Sequence, residues 1–334
     1  MEATAGIPPR RHGVLALAMV AIMGTAVGCR AADSSGAATA DTPPDTVVVD
    51  SVRLIDDLSR LAADSMRGRA AGTPENAMAR AFIAARFDSL GLEAVGGARV
   101  HPFTFVNRRD SSTVEAANVL GLVKGTEWPD SYIVVSAHYD HVGVGRAVDG
   151  DSIYNGADDN ASGTAGLMAL AAYFKAHPAR HSIIFAAFDA EERGLQGATA
   201  FVANPPVPKE ALALNVNMDM VSHSEAGELY AAGAAKWPAL RPVLDSVAAT
   251  APVKLLLGHD TPEPSPRDDW TTQSDQGAFH RAGIPFVYFG VEDHPDYHRP
   301  SDSMDTITIG FYVGAVRTVL SAVQALDAES APGR

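Results

Sequence analysis

The sequence predicts an α/β protein, built as a three-layer sandwich in which helices cover both faces of a mostly parallel, mixed sheet. Short apolar runs typical of buried strands recur along the chain. Helical patterns lie between these runs, and strands that alternate with helices are typical of parallel sheets. At 334 residues, with 46% hydrophobic side chains, the chain is long enough to bury a large core.

The chain begins with a segment typical of an export signal. Arg10 and Arg11 precede an apolar run at 14–27 that ends in small residues. Cys29, the only cysteine, follows in a string that resembles a bacterial lipobox, where cleavage leaves an acylated cysteine. The sequence therefore predicts a signal peptide with a lipobox at 1–29 and a lipoprotein of the bacterial periplasm or cell envelope. Ordinary cleavage to a soluble secreted product is the alternative.

Two further regions complete the predicted organisation. Residues 30–46 are small and polar and contain proline, so they predict a flexible tether. Residues 47–330 are expected to form a single catalytic domain. The formal net charge is −14 and the sequence has no block of Lys and Arg, which argues against a nucleic-acid partner. Contact with a membrane is expected only through the lipid anchor, and the sequence does not indicate an oligomeric state.

Helical and strand patterns then alternate through the domain. The second helix is expected to begin at Pro74 after the N-cap Thr73 and to end before Gly91. The predicted helices are 52–63, 74–90, 162–176, 195–203, 238–249, 273–282 and 306–326. The predicted strands, all interpreted as buried and parallel, are 118–123, 132–137, 182–188, 212–218 and 285–289. Segment 258–269 is rich in proline and charge and is expected to be a loop near the site or a lid.

Candidate metal ligands follow four of the predicted strands. In open α/β sheets, ligands bind outside the carboxyl ends of the strands. Zinc accepts imidazole and carboxylate ligands. The residues at these strand ends are His138, Asp140, Glu191, Glu192, Asp219 and His298. Their repeated occurrence predicts a metal centre at one edge of the sheet.

A site with two metals needs a carboxylate that bridges both ions. The glycine-flanked segment 156–163 supplies Asp158 and Asp159 just before a predicted helix. Asp159 is the preferred bridge, although spacing alone cannot separate it from Asp158. The neighbours Glu191 and Glu192 point to opposite sides of an extended segment. One of them can therefore bind metal while the other serves as a general base.

Together these motifs resemble the zinc peptidases of metallopeptidase family 28, which includes bacterial leucyl aminopeptidases, aminopeptidase Y, glutamate carboxypeptidase II and glutaminyl cyclases. The resemblance covers residues 52–326 and is carried by the strings AHYDH, NGADDNASG, FDAEERGLQG, NMDM and DYHRPSD. It implies a sandwich of the zinc-exopeptidase, phosphorylase/hydrolase-like type. The family often carries Ser-Asp-His where this chain has Ser274, Asp275 and Gln276, so any role of that histidine is in doubt here.

The resemblance also implies two zinc ions per chain and a ligand set for each. One ion would be bound by His138 and Asp219, and the other by Glu192 and His298. Asp159 would be shared between them. Two ions carry four positive charges, so three ligand carboxylates and a hydroxide would neutralise the site.

Further roles follow from the same resemblance. Asp140 would support His138 from behind, and Glu191 would act as the general base on a zinc-bridging water. Tyr297 would polarise the scissile carbonyl, with simple packing as the alternative. Asp302 is expected either to orient His298 or, slightly preferred, to cap the helix near 306.

The other histidines are interpreted as core or surface residues without a metal role. His141 and His294 are the two that lie near the motifs. The remaining ones are His101, His177, His181, His223, His259 and His280.

The implied function is a binuclear zinc aminopeptidase acting on peptides with a free N-terminus. An acidic site attracts the positively charged amine at the N-terminus of a substrate. No Arg or Lys near the motifs is obviously placed to bind a substrate's C-terminal carboxylate. The nearest in sequence, Arg146, Arg193 and Arg299, are interpreted as exposed loop charges. The alternatives are a glutaminyl cyclase, a carboxypeptidase-type peptidase and a non-catalytic binding lipoprotein. The last would be expected to lack the base or a ligand, and none is missing.

Overall fold

An eight-stranded sheet forms the centre of the protein in a computed structural model, which describes residues 49–108 and 110–328. The strands in chain order are β1 (Val100–Val106), β2 (Thr113–Val123), β3 (Trp128–His138), β4 (Gly143–Val148), β5 (Asp151–Tyr154), β6 (His181–Phe188), β7 (Leu212–Met218), β8 (Glu228–Ala232), β9 (Lys254–Leu257) and β10 (Phe286–Gly290). The large sheet has the order β1-β2-β6-β3-β7-β10-β8-β9, whereas β4 and β5 pair separately as a hairpin.

Helices cover both faces of this sheet. They are α1 (Ser51–Leu61), α2 (Pro74–Ser89), α3 (Gly163–Ala176), α4 (Gln196–Ala203), α5 (Arg241–Ala248), α6 (Gln276–Arg281) and α7 (Ile309–Ala328). Along β6, Ile183 and Phe185 pack in the core with α1, α2, α3, α5 and α7, while Ile184 packs on the opposite face with α4 and α6. This alternation follows from the period of two in a strand. The predicted three-layer α/β fold is therefore confirmed.

The four central strands β6, β3, β7 and β10 run parallel to one another. These four strands were expected to be parallel, and their carboxyl ends lie side by side. The expectation was wrong for 118–123, because β2 is antiparallel to both β1 and β6. Burial on both faces makes an antiparallel strand in the middle of a sheet look the same in sequence as a parallel one.

The first two helices lie within two residues of their predicted bounds, because local sequence signals mark their ends. The side chain of Thr73 accepts a hydrogen bond from the backbone N–H of Asn76 at 3.2 Å, as an N-cap does. Gly91 has a φ of 68°, which ends α2 at a conformation that glycine adopts without strain. The start of the last helix was expected at 306, but a separate 3-10 turn, Met304–Thr306, precedes α7.

Among the described residues, α7 is long and apolar enough to cross a membrane, with a mean hydropathy of 1.4. However, 61% of this apolar stretch is buried inside the protein, where Tyr312, Val316 and Leu320 pack in the core. Core packing therefore explains its composition. The predicted signal peptide, lipobox and tether, residues 1–46, lie outside the described residues.

Candidate active site

The candidate ligands meet at the carboxyl edge of the four central strands. His138 is the last residue of β3, and Asp219 directly follows β7. Glu192 lies four residues beyond β6, and His298 lies in the loop after β10. Asp159 lies in the segment Ala157–Ser162, just before α3, and its own backbone is not helical. These ligands, which are far apart in the sequence, are thus brought together because parallel strands end at the same edge of the sheet.

The first group of candidate ligands consists of His138, Asp159 and Asp219. The Nε2 atom of His138 lies 3.1 Å from Oδ1 of Asp219 and 3.3 Å from Oδ1 of Asp159. All three residues are buried. This is the set that the sequence predicts for one metal ion.

The second group consists of His141, Asp159, Glu192 and His298. The Nε2 atom of His298 lies 3.1 Å from Oδ2 of Asp159 and 3.2 Å from Oε1 of Glu192. The Nδ1 atom of His141 lies 2.9 Å from the same Glu192 oxygen. Asp159 therefore contributes one carboxylate oxygen to each group, as a bridging ligand would.

The residues of both groups fit metal ions. Zinc bonds of about 2.0–2.2 Å in a tetrahedral arrangement place ligand atoms about 3.3 Å apart, close to the distances within each group. His141 Nδ1 and Glu192 Oε1 are buried and make no hydrogen bond within the described residues, although they are 2.9 Å apart. Leaving buried polar atoms without hydrogen-bond partners costs free energy. A metal ion bound by both atoms would provide the missing partner.

Asp158 faces away from both groups. Its Oδ1 accepts hydrogen bonds from the backbone N–H and the hydroxyl of Ser222, both at 2.7 Å, and its Oδ2 lies 3.1 Å from Nε2 of His294. The geometry therefore favours Asp159, which was the preferred bridge. The carboxylate of Asp158, the alternative bridge, is instead bound by Ser222 and His294.

Asp302 has neither of the two roles expected for it. Its Oδ1 accepts from the backbone N–H of Asp158 at 2.8 Å, and its Oδ2 accepts from the backbone N–H of Asp159 at 3.1 Å. The turn at 304–306 is capped by Ser303 instead. Asp302 therefore fixes the backbone at the candidate bridging residue. The sequence could not show this, because the contact spans more than 140 residues.

Asp140 supports both a candidate ligand and the candidate base. Its backbone carbonyl lies 3.1 Å from Nδ1 of His138, and its carboxylate oxygen lies 3.6 Å from the same atom. That carboxylate also accepts a hydrogen bond from the backbone N–H of Glu191 at 2.9 Å. The position behind His138 is the one that the sequence predicts, and the link to Glu191 is an additional finding.

Glu191 and Glu192 differ in electrostatic environment, as their predicted division of roles requires. Burial raises the pKa of Glu191 well above its ordinary value, and Asp219 and Asp275 add to this while His138 opposes it. Burial also acts to raise the pKa of Glu192, but the imidazoles of His141 and His298 lower it to about 2. Glu191 belongs to neither ligand group. It is therefore a carboxyl group suited to holding a proton.

Asp275 is a buried acid that the sequence left without a role. Burial raises its pKa to about 8, and Asp140 and Asp219 add to the effect against the charge of His138. Neither carboxylate oxygen has a hydrogen-bond partner among the described residues. Asp275 is therefore a buried acid whose protonated form is favoured by its surroundings.

Tyr297 packs against the candidate ligand that follows it. Its ring stacks on that of His298, with centroids 4.0 Å apart and planes inclined by 26°. Burial and the charges of Asp159, Asp219 and Glu192 raise the pKa of Tyr297, so its hydroxyl remains protonated. Tyr297 can therefore act as a hydrogen-bond donor at this edge of the site.

Arg69 is a structural residue of the site for which no sequence signal was found. Its guanidinium is fully buried and donates to four backbone carbonyls at 2.6–2.9 Å. They belong to Leu61, Tyr139, Asn155 and Gly156. Burial lowers the pKa of Arg69 to about 10, against the charges of Asp159, Asp302, Asp140 and Glu192. The cation thus joins the segments on which His138 and Asp159 lie.

The chain is also similar in sequence to known proteins. The sequence profile described as Peptidase family M28 matches residues 118–323. A probable zinc metalloprotease from Pyrenophora tritici-repentis is 32% identical over 153 residues, which are 44% of this chain and 35% of the relative. Aminopeptidase YwaD from Bacillus subtilis is 30% identical over 207 residues, which are 57% of this chain and 40% of the relative. The chain thus spans less than half the length of these curated relatives.

Solved structures share the fold at lower identity. BSAP, a zinc aminopeptidase from Bacillus subtilis, superposes with a TM-score of 0.67 at 18% identity and covers 83% of this chain and 95% of its own. A glutaminyl cyclase from Bacteroides thetaiotaomicron superposes with a TM-score of 0.64 at 17% identity and covers 84% of this chain and 99% of its own. The profile match includes all of the candidate ligands and more than half of the chain, so this protein belongs to peptidase family M28.

Proposed function

We propose that the protein is a binuclear zinc aminopeptidase that hydrolyses N-terminal residues from peptides. The main support is that Asp159 belongs to both ligand groups while Glu191 belongs to neither. This is the arrangement that two metal ions and a separate base require. When bound, zinc would polarise the scissile carbonyl and lower the pKa of a coordinated water.

The residues of this chain would then act in sequence. Glu191, held through its backbone by Asp140, takes the proton from the attacking water and passes it to the leaving amine. Tyr297 donates a hydrogen bond to the carbonyl oxygen as negative charge develops there. The carboxylates around the site attract the substrate's free amine and orient the first peptide bond.

We expect substrates with a free amine to be cleaved and their N-acetylated forms to be cleaved little or not at all. The physical reason is that acetylation removes the charge that an acidic site attracts. A substrate carboxylate would need a cation. Arg69 is fully engaged with backbone carbonyls, and Arg146 and Arg299 are exposed, whereas Arg193 is half-buried rather than exposed as expected. The measurement compares leucyl and alanyl anilides, free and acetylated, with Glu191→Gln protein as the blank.

Two outcomes of that assay would contradict the proposal. Equal rates on free and acetylated substrates would exclude action from the N-terminus. A glutaminyl peptide that releases ammonia and forms pyroglutamate, without hydrolysis of any anilide, would assign the chain to the cyclases instead.

Metal content provides an independent prediction. Because Asp159 is shared by both groups, Asp159→Ala should lose two zinc ions per chain relative to wild type. Zinc is counted in dialysed protein by elemental analysis, and Asp130→Ala, which removes an exposed carboxylate of β3, serves as the control. Loss of a single ion would contradict the binuclear centre.

We further propose that the mature chain is anchored to the cell envelope through an acylated Cys29. Cys29→Ser should then move the protein from the membrane fraction to the soluble fraction, because acyl chains contribute about 0.8 kcal/mol per buried CH₂. Fractionation and mass spectrometry of the mature N-terminus test this. A soluble wild-type protein whose N-terminus is not Cys29 would exclude the anchor.

A further inference from the structure

A second cluster of ligating side chains lies outside the site described above. It consists of His223, in the loop between β7 and β8, and His294 and Asp296, in the loop after β10. One ligand atom from each of the three residues lies within 4.8 Å of the others. The two imidazole rings face each other with centroids 4.0 Å apart and planes inclined by 35°.

One ring nitrogen of each histidine in this cluster lacks a hydrogen-bond partner among the described residues. The Nδ1 atoms of His223 and His294 are both buried and make no hydrogen bond within the described residues. The closest approach of His223 Nδ1 to a carboxylate is 3.9 Å, to Oδ2 of Asp296, which is too long for a hydrogen bond. Two buried ring nitrogens without partners at one place are unusual and indicate a missing ligand.

The orientation of His294 is set by a carboxylate behind it. Its Nε2 lies 3.1 Å from Oδ2 of Asp158, whose other oxygen is held by Ser222. A ring that donates through Nε2 has its lone pair on Nδ1, the unpartnered atom. A carboxylate, a histidine and a metal in this order form the arrangement that orients metal-binding histidines in proteins.

The surroundings favour a cation as well. The cluster opens onto a cavity of about 200 Å³ whose lining includes Glu225, Glu228, Glu292 and Asp293. Two of these already have partners, because Glu228 pairs with Lys254 and Glu292 pairs with His259. Glu225 and Asp293 also line this cavity and add negative charge beside the histidine pair. This negative charge favours the binding of a cation.

We propose that His223, His294 and Asp296 bind a third metal ion of the imidazole-preferring class, such as zinc, separate from the candidate active site. Two imidazoles and one carboxylate suit zinc, cobalt, nickel or copper and do not suit calcium or magnesium. Sequence reasoning gave neither histidine a metal role, because their ligand spacing of 71 residues forms no motif.

Such an ion would join two loops that matter to the candidate active site. Asp296 directly precedes Tyr297 and lies two residues before His298, and Asp158 directly precedes Asp159. Binding at the third site would therefore fix the segment that carries a candidate ligand and the candidate hydrogen-bond donor. The ion is assigned a positioning role and no part in the reaction.

The test counts zinc ions in chelator-treated protein after reloading with zinc chloride, by elemental analysis and calorimetric titration. Wild type should bind three ions, His223→Ala two and Asp159→Ala one. Asp296→Asn, which hardly changes the shape of the side chain, should weaken the third site at least tenfold. His259→Ala is the matched control, since it removes a histidine beside the same cavity and should retain all three ions.

The variants also separate this proposal from the proposed function. If His223→Ala and Asp296→Asn both bind as many ions as wild type with the same affinity, the third site does not exist. If His223→Ala loses one ion while Asp159→Ala loses none, the third site stands and the binuclear centre is wrong. Circular dichroism of each variant verifies that the lost ion does not reflect unfolding, and a folded His223→Ala that binds three ions overturns the proposal.

Discussion

Glu191→Gln is expected to lower the turnover of a leucyl anilide by on the order of a thousandfold while the protein retains its zinc. Positioned acid–base groups contribute roughly 10² to 10⁴ in rate. Glutamine has the size of glutamate but cannot accept the proton. Because Glu191 belongs to neither ligand group, its replacement removes no metal ligand. The measurement pairs kcat with zinc content in the same preparation.

Glu192→Ala is the matched comparison, since it alters the neighbouring residue. Glu192 lies within 3.2 Å of both His141 and His298, so its removal should lower zinc content as well as activity. Equal zinc content in the two variants would show that the roles of the neighbours have been wrongly divided.

Arg69→Met is expected to lower the free energy of unfolding by about 3–5 kcal/mol, the range found when one partner of a buried charged network is removed. The substitution removes the guanidinium donor from four buried carbonyls, of which that of Gly156 still accepts from the backbone N–H of Ala161 at 3.2 Å. It also removes a buried cation that interacts electrostatically with Asp159, Asp140 and Glu192. Urea unfolding of the metal-free protein measures the change, so that metal binding does not contribute.

Two variants define the cause of that loss. Arg69→Lys keeps the charge, but a single ammonium cannot reproduce the planar fork that reaches four acceptors, so it should recover only part of the stability. Arg67→Met removes an exposed arginine whose partner, Glu75, is 3.5 Å away, and should cost less than about 1 kcal/mol. Equal losses at positions 67 and 69 would contradict the structural role of Arg69.

The sequence predicted the central strands and most helices because their signals are local. The strand β7 was predicted with its observed bounds, 212–218, since an apolar run of that length is bounded by clear breaks. The strands β8 and β9 were missed, as they have only five and four residues. The edge strand β1 was missed because its side chains are mostly exposed and include Pro102, which weakens the apolar signal.

The candidate site was predictable to the extent that its residues follow strand ends. His138, Glu192, Asp219 and His298 could be placed at one edge of the sheet for that reason. His141 was interpreted as a residue without a metal role, although it is three residues from His138, because the sequence does not show that the chain after β3 brings it to the other ligand group. Arg69 and Asp302 were missed or misassigned because each acts on backbone atoms of distant segments, and such contacts have no signature in side-chain spacing.

The position of Asp302 has a consequence for biosynthesis. The carboxylate that fixes the backbone of Asp158 and Asp159 lies more than 140 residues after them in the chain, and it follows His298 by four residues. A growing chain that has not yet reached residue 302 therefore contains Asp159 without the group that holds it. Folding can proceed through the central strands, but the candidate centre can assemble only after most of the protein has been synthesised. We therefore expect a nascent chain that ends before residue 302 to lack activity.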